Sequence, residues 1–411
     1  MPTVLLVGTF DTKGVEYTWL RDRIGELGCG VRAIDAGVGE PVGITPDVAH
    51  DEVAAAAGAD VAGLRAAGDR GEAVRLMGEG AARIVERLID EGRGDAVLAV
   101  GGSGGSSIAA RAVRDLPLGV PKLLVSTMAS GDVAPYVGAK DVTVMYSVVD
   151  IAGVNRVSER ILGNAAAAIV GMAREYARPA PSERPTAPLV AASMFGVTTP
   201  AVEAARARLE ELGYEVLVFH ATGAGGRALE SLAESGLLHG VLDLTTTELA
   251  DELVGGVLSA GPDRLRAAGR RRLPQVVAPG ALDMVNFGPK DTVPERFAER
   301  TLYEHNPTVT LMRTSATEMT ELGEIVGQRL HDAAGPTALF WPLRGVSALD
   351  AEGMPFHDPA ADQRCREAAH TALAGGDVEF IELDRHINDP AFAVAMADRL
   401  HMLIEKRGEG Q

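Results

Sequence analysis

The segment GTFDTKG, residues 8–14, places hydroxyl, carboxylate and ammonium groups between two glycines, directly after an apolar run. Thr9, Asp11 and Thr12 are residue types that cap helix N-termini. Lys13 adds a positive charge beside them. Backbone amides at a helix N-terminus bind anions, so the segment fits a phosphate site as well as a simple helix cap. On these residues alone both interpretations stay open.

A second candidate turn, GGSGGSS, covers residues 101–107 and follows another apolar run. Its four glycines and three serines offer free amides and hydroxyls, which suit a phosphate or carboxylate oxygen. It lacks the GxxxxGK[ST] pattern of a P-loop, and Ser107 stands where GxGxxG requires its last glycine. The alternative to an anion site is a flexible connection between a strand and a helix.

Further polar residues at strand ends extend this candidate nucleotide site. Asp35 ends an apolar segment, where nucleotide-binding folds often place a carboxylate against a ribose hydroxyl. STMASGD, residues 126–132, offers hydroxyls for a third side of the pocket. The nucleotide-binding residues predicted at these turns are Gly8, Thr9, Asp11, Thr12, Lys13, Asp35, Gly102, Ser103, Gly104, Gly105, Thr127 and Ser130, with Asp11 or Asp132 as candidate ligands for Mg²⁺.

The C-terminal half carries its own polar turns, FHATGAGGRALE (219–230) and DLTTTELADEL (243–253). A capping box explains part of the second turn, and an arginine in a nearby loop could hold a carboxylate or phosphate. The predicted substrate residues are Thr222, Gly225, Gly226, Thr245, Thr246, Thr247, Asp283, Arg313 and Arg344, and the candidate catalytic residues are Lys13, His220, Glu248 and His305. No Ser-His-Asp order or metal signature identifies a reaction.

Composition excludes several classes of function. A formal net charge of −18 argues against non-specific nucleic-acid binding, which needs lysine and arginine along the phosphates. Two cysteines build neither a disulfide framework nor a zinc site. No apolar run reaches the about 18 residues of a membrane span. We therefore expect a soluble cytoplasmic protein with no nucleic-acid or membrane partner.

Short apolar runs alternate with amphipathic segments, which is typical of βαβ units in a parallel sheet. The first five predicted strands are residues 4–9, 31–35, 96–102, 122–127 and 141–148. Ligands of such sheets bind beyond the carboxyl ends of the strands, where the candidate turns lie.

A proline-rich break at residues 175–188 marks the best domain boundary. It predicts an N-terminal nucleotide-binding domain (1–178), a linker (179–188) and a C-terminal substrate domain (189–411). The two halves match in order: ELGCGVRAID with ELGYEVLVFH, VLAVGGSGG with VLDLTTTEL, VPKLLVST with LPQVVAPG, and DVTVMY with PTVTLMRT. The sequence offset is 185 residues for the first pair and 144 for the second, so the N-terminal half carries an insertion of about 41 residues (185 − 144). We predict two Rossmann-like, doubly wound α/β domains related by an internal duplication.

The chain resembles the UPF0261 family, the Tm-1-like ATP-binding proteins, at seven motifs in order: GTFDTKG, GGSGGS, PKLLVSTMASGDV, ASMFGVTTP, FHATGAGGRALE, LDLTTTELADEL and RTLYEHNPTVTLMRT. The resemblance implies two Rossmann-like domains, an ATP site in the N-terminal domain and a homo-oligomer, either a dimer or larger. It supplies no substrate.

Three functions remain open at this point. The first is a metabolic enzyme, for example an ATP-dependent transferase or ligase, that acts on a small anionic substrate in an interdomain cleft. The second is a nucleotide-responsive regulatory module without chemistry. The third is a hydrolase or carbon–carbon lyase that uses the C-terminal turns.

Overall fold

A computed structural model describes residues 1–178 and 187–409, which form two compact units. The predicted linker, residues 179–188, lies almost entirely outside the described residues. Each unit is an α/β domain built on a parallel sheet, as the sequence predicts. No helix in the described ranges is long and apolar enough to cross a membrane.

The N-terminal domain has five parallel strands in the order β2-β1-β3-β4-β5. The strands are β1 (Thr3–Gly8), β2 (Gly30–Asp35), β3 (Ala96–Gly101), β4 (Lys122–Ser126) and β5 (Val142–Tyr146). The helices are α1 (Phe10–Glu26), α2 (His50–Ala56), α3 (Val61–Ala67), α4 (Arg70–Asp90), α5 (Ser103–Val113), α6 (Ala134–Val137) and α7 (Arg156–Tyr176).

Helices cover both faces of this sheet, which explains why its strands are continuous apolar runs rather than alternating ones. On β1, Val4 and Leu6 pack on one face against α1 and α7. Leu5 and Val7 pack on the other face against α4 and α5. The sheet is therefore doubly wound.

The C-terminal domain has a six-stranded parallel sheet and a separate antiparallel sheet of three strands. Its strands are β6 (Leu189–Met194), β7 (Glu215–His220), β8 (Gly240–Thr245), β9 (Gln275–Gly280), β10 (Met284–Phe287), β11 (Leu302–Asn306), β12 (Val309–Arg313), β13 (Thr337–Pro342) and β14 (Glu379–Leu383). Its α-helices are α8 (Thr199–Glu211), α9 (Ala224–Glu234), α10 (Glu248–Val254), α11 (Ala267–Arg270), α12 (Ala316–His331), α13 (Pro359–Ala372) and α14 (Pro390–Glu409).

The predicted duplication holds for the first four strands of each domain. The parallel sheet of the C-terminal domain runs β14-β13-β9-β8-β6-β7, so its first four strands have the same spatial order as β1 to β4. The predicted match of DVTVMY with PTVTLMRT is wrong. The second segment forms β12, which pairs antiparallel with β10 and β11, and the strand next to β9 is β13.

The insertion lies between β2 and α4. In the C-terminal domain, α9 starts four residues after the end of β7, whereas in the N-terminal domain residues 36–69 separate β2 from α4. This segment contains α2 and α3, which have no counterpart in the other half.

Candidate functional site

A cavity of about 720 Å³ opens beyond the carboxyl ends of β1 and β3. The chain continues from β1 to β2 on one side and returns to β3 on the other, so the cavity lies where the strand order reverses. This is the position at which open α/β sheets bind ligands. Eight of the predicted nucleotide-binding residues line it: Thr9, Asp11, Thr12, Lys13, Gly102, Ser103, Gly104 and Gly105.

In the turn after β1, the N-cap residue of α1 does not cap the helix with its side chain. Thr9 is the N-cap residue, yet its hydroxyl contacts the Thr12 hydroxyl at 2.9 Å and accepts no amide of the first turn. The simple capping interpretation of GTFDTKG therefore does not describe Thr9.

Lys13 interrupts the first turns of α1. Its dihedral angles, φ −132° and ψ 22°, are not helical, and its side chain lines the cavity. The ammonium group donates to the carbonyl of Ile151. Because an ammonium group has three N–H donors, this contact holds the side chain in place and leaves donors for a ligand.

The turn after β3 presents a second uncapped helix N-terminus. Gly102 is the N-cap of α5 and has no side chain to accept from the first turn. The Ser106 amide donates to the Gly102 carbonyl at 2.8 Å, whereas the first three amides of a helix have no partner within it. The amides of Ser103, Gly104 and Gly105 are therefore the available donors of this wall.

Gly8 and Tyr17 shape the floor between the two turns rather than lining the cavity. The Tyr17 hydroxyl donates to the Val7 carbonyl at 2.6 Å and accepts from the Val100 amide at 2.7 Å, so it joins β1 to β3. A Cβ on Gly8 would lie 2.1 Å from the Tyr17 ring. Gly8 is thus required by packing.

The third wall comes from the inserted segment and α4, and the sequence analysis missed it. Apolar side chains of Leu64, Val74 and Met77 lie there, with Ile108 of α5 beside them. Arg65 and Arg70 stand at the same wall. The 41-residue offset between the halves was the one signal that this region is special to the N-terminal domain.

Asp35 does not line the cavity. It is fully buried, and its Oδ1 accepts from the amides of Phe10 at 3.1 Å and Gly37 at 2.9 Å. Burial raises the pKa of the Asp35 carboxyl above its ordinary value, although the two amides act in the opposite direction. His50 Nδ1 lies 3.3 Å from its other oxygen. The Asp35 side chain thus fixes the start of α1.

The two candidate Mg²⁺ ligands differ in position. Asp11 lines the cavity, where its Oδ2 accepts from the Gly39 amide at 2.8 Å and its buried Oδ1 has no partner among the described residues. Asp132 is exposed, accepts from the Ala134 amide, and does not line the cavity. Within residues 1–178 and 187–409, no group of three His, Cys, Asp or Glu side chains could hold a metal ion unaided.

Thr127 and Ser130 lie at the edge of the site. The Thr127 hydroxyl would be 3.6 Å from a Cβ on Gly102, so it is close to the second turn without lining the cavity. Ser130 is exposed on the loop that follows β4.

In the C-terminal domain, the corresponding point between β6 and β8 is filled by an ionic cluster. Arg264 is fully buried and donates to Asp243 Oδ1 at 2.7 Å and to Glu248 Oε2 at 2.6 Å. It also contacts Glu230 at 3.2 Å. The cluster occupies the place where a ligand would bind in the other domain.

Glu248 and the threonines before it belong to this buried region. Glu248 Oε1 accepts from the amides of Gly223 at 2.7 Å and Gly226 at 3.0 Å. The Thr245 hydroxyl pairs with that of Thr198, so the expected capping box between Thr245 and Glu248 is absent. Thr246 and Thr247 are likewise fully buried. These groups stabilise the fold and are not accessible to a substrate.

The remaining residues of the FHATGAGG turn have separate roles. His220 and Thr222 are exposed, and the amide and hydroxyl of Thr222 both donate to the His220 carbonyl. A Cβ on Gly225 would lie 1.7 Å from that carbonyl oxygen, and one on Gly226 would lie 2.1 Å from Glu248. His305 is exposed on β11 of the antiparallel sheet. No hydrogen bond among the described residues joins the side chains of His220, Glu248 and His305.

Asp283 and Arg313 fall in a second buried cluster. Arg313 Nη2 lies 2.7 Å from Asp362 and 3.8 Å from Asp350, and Asp283 accepts from the Ser347 hydroxyl at 2.7 Å. Burial raises the pKa of Asp283 and of Asp350 to about 6. Burial and the neighbouring Asp350 carboxylate raise the pKa of Asp362 to about 8. The Arg313 guanidinium is thus already paired with carboxyl groups of its own domain.

Arg344 lines a small cavity of about 260 Å³ beyond β13, together with His357, Asp362 and Arg366. Its guanidinium forms two hydrogen bonds with exposed Asp384, at 2.7 and 2.8 Å. Two of its five N–H donors are therefore used by Asp384.

Comparison with known proteins agrees with this architecture. Residues 2–178 match the model of the N-terminal domain, and residues 187–404 that of the C-terminal domain, of an uncharacterised protein family, UPF0261. A UPF0261 protein of Clostridium tetani is 50% identical over 98% of this chain and 99% of its own length. One from Rhizobium meliloti is 48% identical over 96% of this chain and 97% of its own.

A plant relative is longer. The ToMV resistance protein Tm-1(GCR237) of Solanum lycopersicum is 42% identical over 80% of this chain and 44% of its own length. Among solved structures, the Streptomyces glycosyltransferase SsfS6 aligns over 97% of this chain and 100% of its own at 13% identity, but its TM-score of 0.20 carries no argument. The two domain matches and the full-length bacterial relatives show that the chain belongs to the UPF0261 family.

Proposed function

We propose that the N-terminal domain binds a phosphorylated nucleotide, with ATP as the first candidate, in the cavity beyond β1 and β3. The observation that carries the proposal is the convergence of two helix N-termini, α1 and α5, on one cavity, where neither N-cap residue caps its helix with a side chain and the first amides of α5 have no partner among the described residues. Backbone amides and the positive end of the helix dipole favour an anion at such a point.

The phosphates would lie between the two turns. Lys13 supplies a positive charge there, and the amides of Gly104 and Gly105 supply donors that no side chain obstructs. Charge-assisted hydrogen bonds of this kind are stronger than neutral ones.

The size and lining of the cavity favour a nucleotide over inorganic phosphate. Its volume of about 720 Å³ exceeds what one phosphate needs, and Val74, Met77 and Ile108 give it an apolar wall. Ligand pockets combine such walls with a few placed polar groups. The apolar wall suits a base, and the two turns suit the phosphates.

Asp11 is the residue of this cavity that fits a Mg²⁺ ion bound with the nucleotide. Its Oδ1 is buried without a partner among the described residues, and Mg²⁺ usually binds proteins through one or two carboxylates, completed by phosphates and water. When bound, the ion would neutralise phosphate charge.

We further propose that the nucleotide serves a metabolic reaction on a small oxyanion, in a cytoplasmic homo-oligomer. The two buried free thiols, Cys29 and Cys365, suit a reducing compartment. The alternative is nucleotide-responsive regulation without chemistry. Light scattering tests the oligomer, and assay of nucleotide turnover with a panel of carboxylates and phosphates separates enzyme from regulator.

Titration calorimetry with ATP, with and without Mg²⁺, tests the binding site. Lys13→Ala should weaken ATP binding about tenfold or more, because it removes a charged donor from the phosphates. The matched control is Lys290→Ala, which removes the same charge from an exposed position in the C-terminal domain.

Absence of ATP binding by the wild-type protein would contradict the proposal. Equal ATP affinity in wild type and Lys13→Ala would remove Lys13 from the site.

A further inference from the structure

We propose that Arg70 is a phosphate-binding residue of the N-terminal cavity, supplied by the wall that the C-terminal domain lacks. The proposal rests on the proposed nucleotide function and names a lining residue outside the two glycine turns. Nothing in the sequence pattern of the two glycine turns points to it.

The backbone places Arg70 at the edge of the cavity. Gly68 ends α3 in the left-handed region at φ 64°, and Asp69 caps α4 by accepting from the Glu72 amide at 3.0 Å. Arg70 is consequently the first residue of α4, and its side chain lines the cavity.

The guanidinium lies against the glycine turn after β3. A Cβ on Gly104 would be 3.5 Å from Arg70 Nη2. Gly104 thus leaves space beside the guanidinium, at the turn whose amides are free. An anion at those amides would lie within reach of Arg70.

Arg70 is also distinguished by what it does not contact. It makes no hydrogen bond or ion pair with any residue in the described ranges. The other arginines of α3 and α4 each have a partner: Arg65 with Glu40, Arg75 with Glu72, Arg83 with the Ala56 carbonyl and Arg87 with Glu52.

Arg70 is exposed at the first position of α4, so its guanidinium is accessible to a ligand. A cation at a helix N-terminus is repelled by the positive end of the dipole, so arginine is favoured at the other end. In a chain with a formal net charge of −18, carboxylate partners are abundant. A bound phosphate would supply the missing negative charge.

Calorimetry with ATP and with adenosine separates a phosphate contact from a structural role. Arg70→Ala should weaken ATP binding about tenfold or more and leave adenosine binding within about twofold of wild type. Arg70→Lys should recover part of the ATP affinity, because lysine keeps the charge but not the paired donors. Raising the salt concentration should reduce the difference in ATP affinity between wild type and Arg70→Ala, because salt screens the charge of the guanidinium.

The matched control is Arg75→Ala, on the same helix, which removes an exposed arginine already paired with Glu72 and should leave ATP affinity unchanged. Unchanged ATP affinity in Arg70→Ala, or equal loss for ATP and adenosine, would overturn the role of Arg70 while leaving nucleotide binding intact. If the wild-type protein binds neither ATP nor adenosine, both proposals are overturned.

Discussion

Arg264 binds the carboxylates of the ionic cluster at the crossover point of the C-terminal domain, which is the place between β6 and β8 where the strand order reverses. Replacing Arg264 with methionine tests this role. Methionine approximates the length of the arginine stem but donates no hydrogen bond. The substitution leaves Asp243 and Glu248 buried without their cation. Breaking a buried ion pair in this way typically costs about 3–5 kcal/mol.

The surviving contacts place the expected loss at the lower end of that range. Asp243 Oδ1 keeps the Ser193 hydroxyl at 2.6 Å, and Glu248 Oε1 keeps the amides of Gly223 and Gly226. Asp243 Oδ2 and Glu248 Oε2 lose the arginine donors at 2.5 and 2.6 Å. We therefore expect a loss of about 3 kcal/mol in the unfolding free energy of this domain.

The chain provides a reporter for each domain, since its two tryptophans are Trp19 in α1 and Trp341 in β13. In a Trp19→Phe background, urea unfolding followed by fluorescence monitors Trp341 and hence the C-terminal domain.

Arg270→Met is the matched control, because Arg270 is half exposed and pairs with Glu234 at 2.8 Å. Exposed pairs contribute at most about 1 kcal/mol, so this variant should unfold nearly as the parent does. If Arg264→Met costs no more unfolding free energy than the control, the cluster does not stabilise the crossover point and the reasoning fails.

Two further predictions concern buried hydroxyl and carboxyl groups. Tyr17→Phe should destabilise the N-terminal domain by about 1–3 kcal/mol, because it leaves the buried Val100 amide without its acceptor. Urea unfolding followed by Trp19 fluorescence in a Trp341→Phe background measures it, and an unchanged midpoint would rule out the β1–β3 link. The pKa of Asp362, about 8 in the folded domain, exceeds its unfolded value, so this carboxyl binds a proton on folding, and stability falls as pH rises toward 8. Asp362→Asn should reduce the decrease of the urea midpoint with pH between about pH 6 and 9. An identical pH dependence of the midpoint in wild type and Asp362→Asn would contradict this prediction.

The sequence predicts most of this fold correctly because parallel strands covered on both faces appear as uninterrupted apolar runs. Residues 4–9 and 122–127 were predicted as strands, and the structure has Thr3–Gly8 and Lys122–Ser126. The error at PTVTLMRT has a physical cause. A strand pattern shows that a segment is extended, but it does not show which strand it pairs with.

The sequence predicts those residues of the candidate site that directly follow a strand. Thr9 to Lys13 and Gly102 to Gly105 follow β1 and β3, and the rule for strand ends brings them together. Arg70, Val74 and Met77 lie on a helix instead, where periodicity predicts a helix without showing which residues face a ligand.

Polar residues after strands also led to assignments that the structure places in the interior. Thr245 and Glu248 were predicted to bind substrate or catalyse, and both are fully buried. Their partner, Arg264, lies on a loop between α10 and α11 and has no local sequence signature. A buried ion pair across a fold cannot be distinguished from a binding site until both partners are located.

The contrast between the two domains helps to explain why a cavity lies at the crossover point of the N-terminal domain. In the C-terminal domain, the chain passes from β7 to α9 through three residues, and the Glu248 carboxylate accepts from the amides of Gly223 and Gly226 at the start of that helix. This domain therefore supplies its own anion. In the N-terminal domain, residues 36–69 separate β2 from the equivalent helix, α4, and no carboxylate in the described residues accepts from the amides at the start of α5. The amides at the start of α5 therefore remain available, which favours the N-terminal domain as the anion site that we propose.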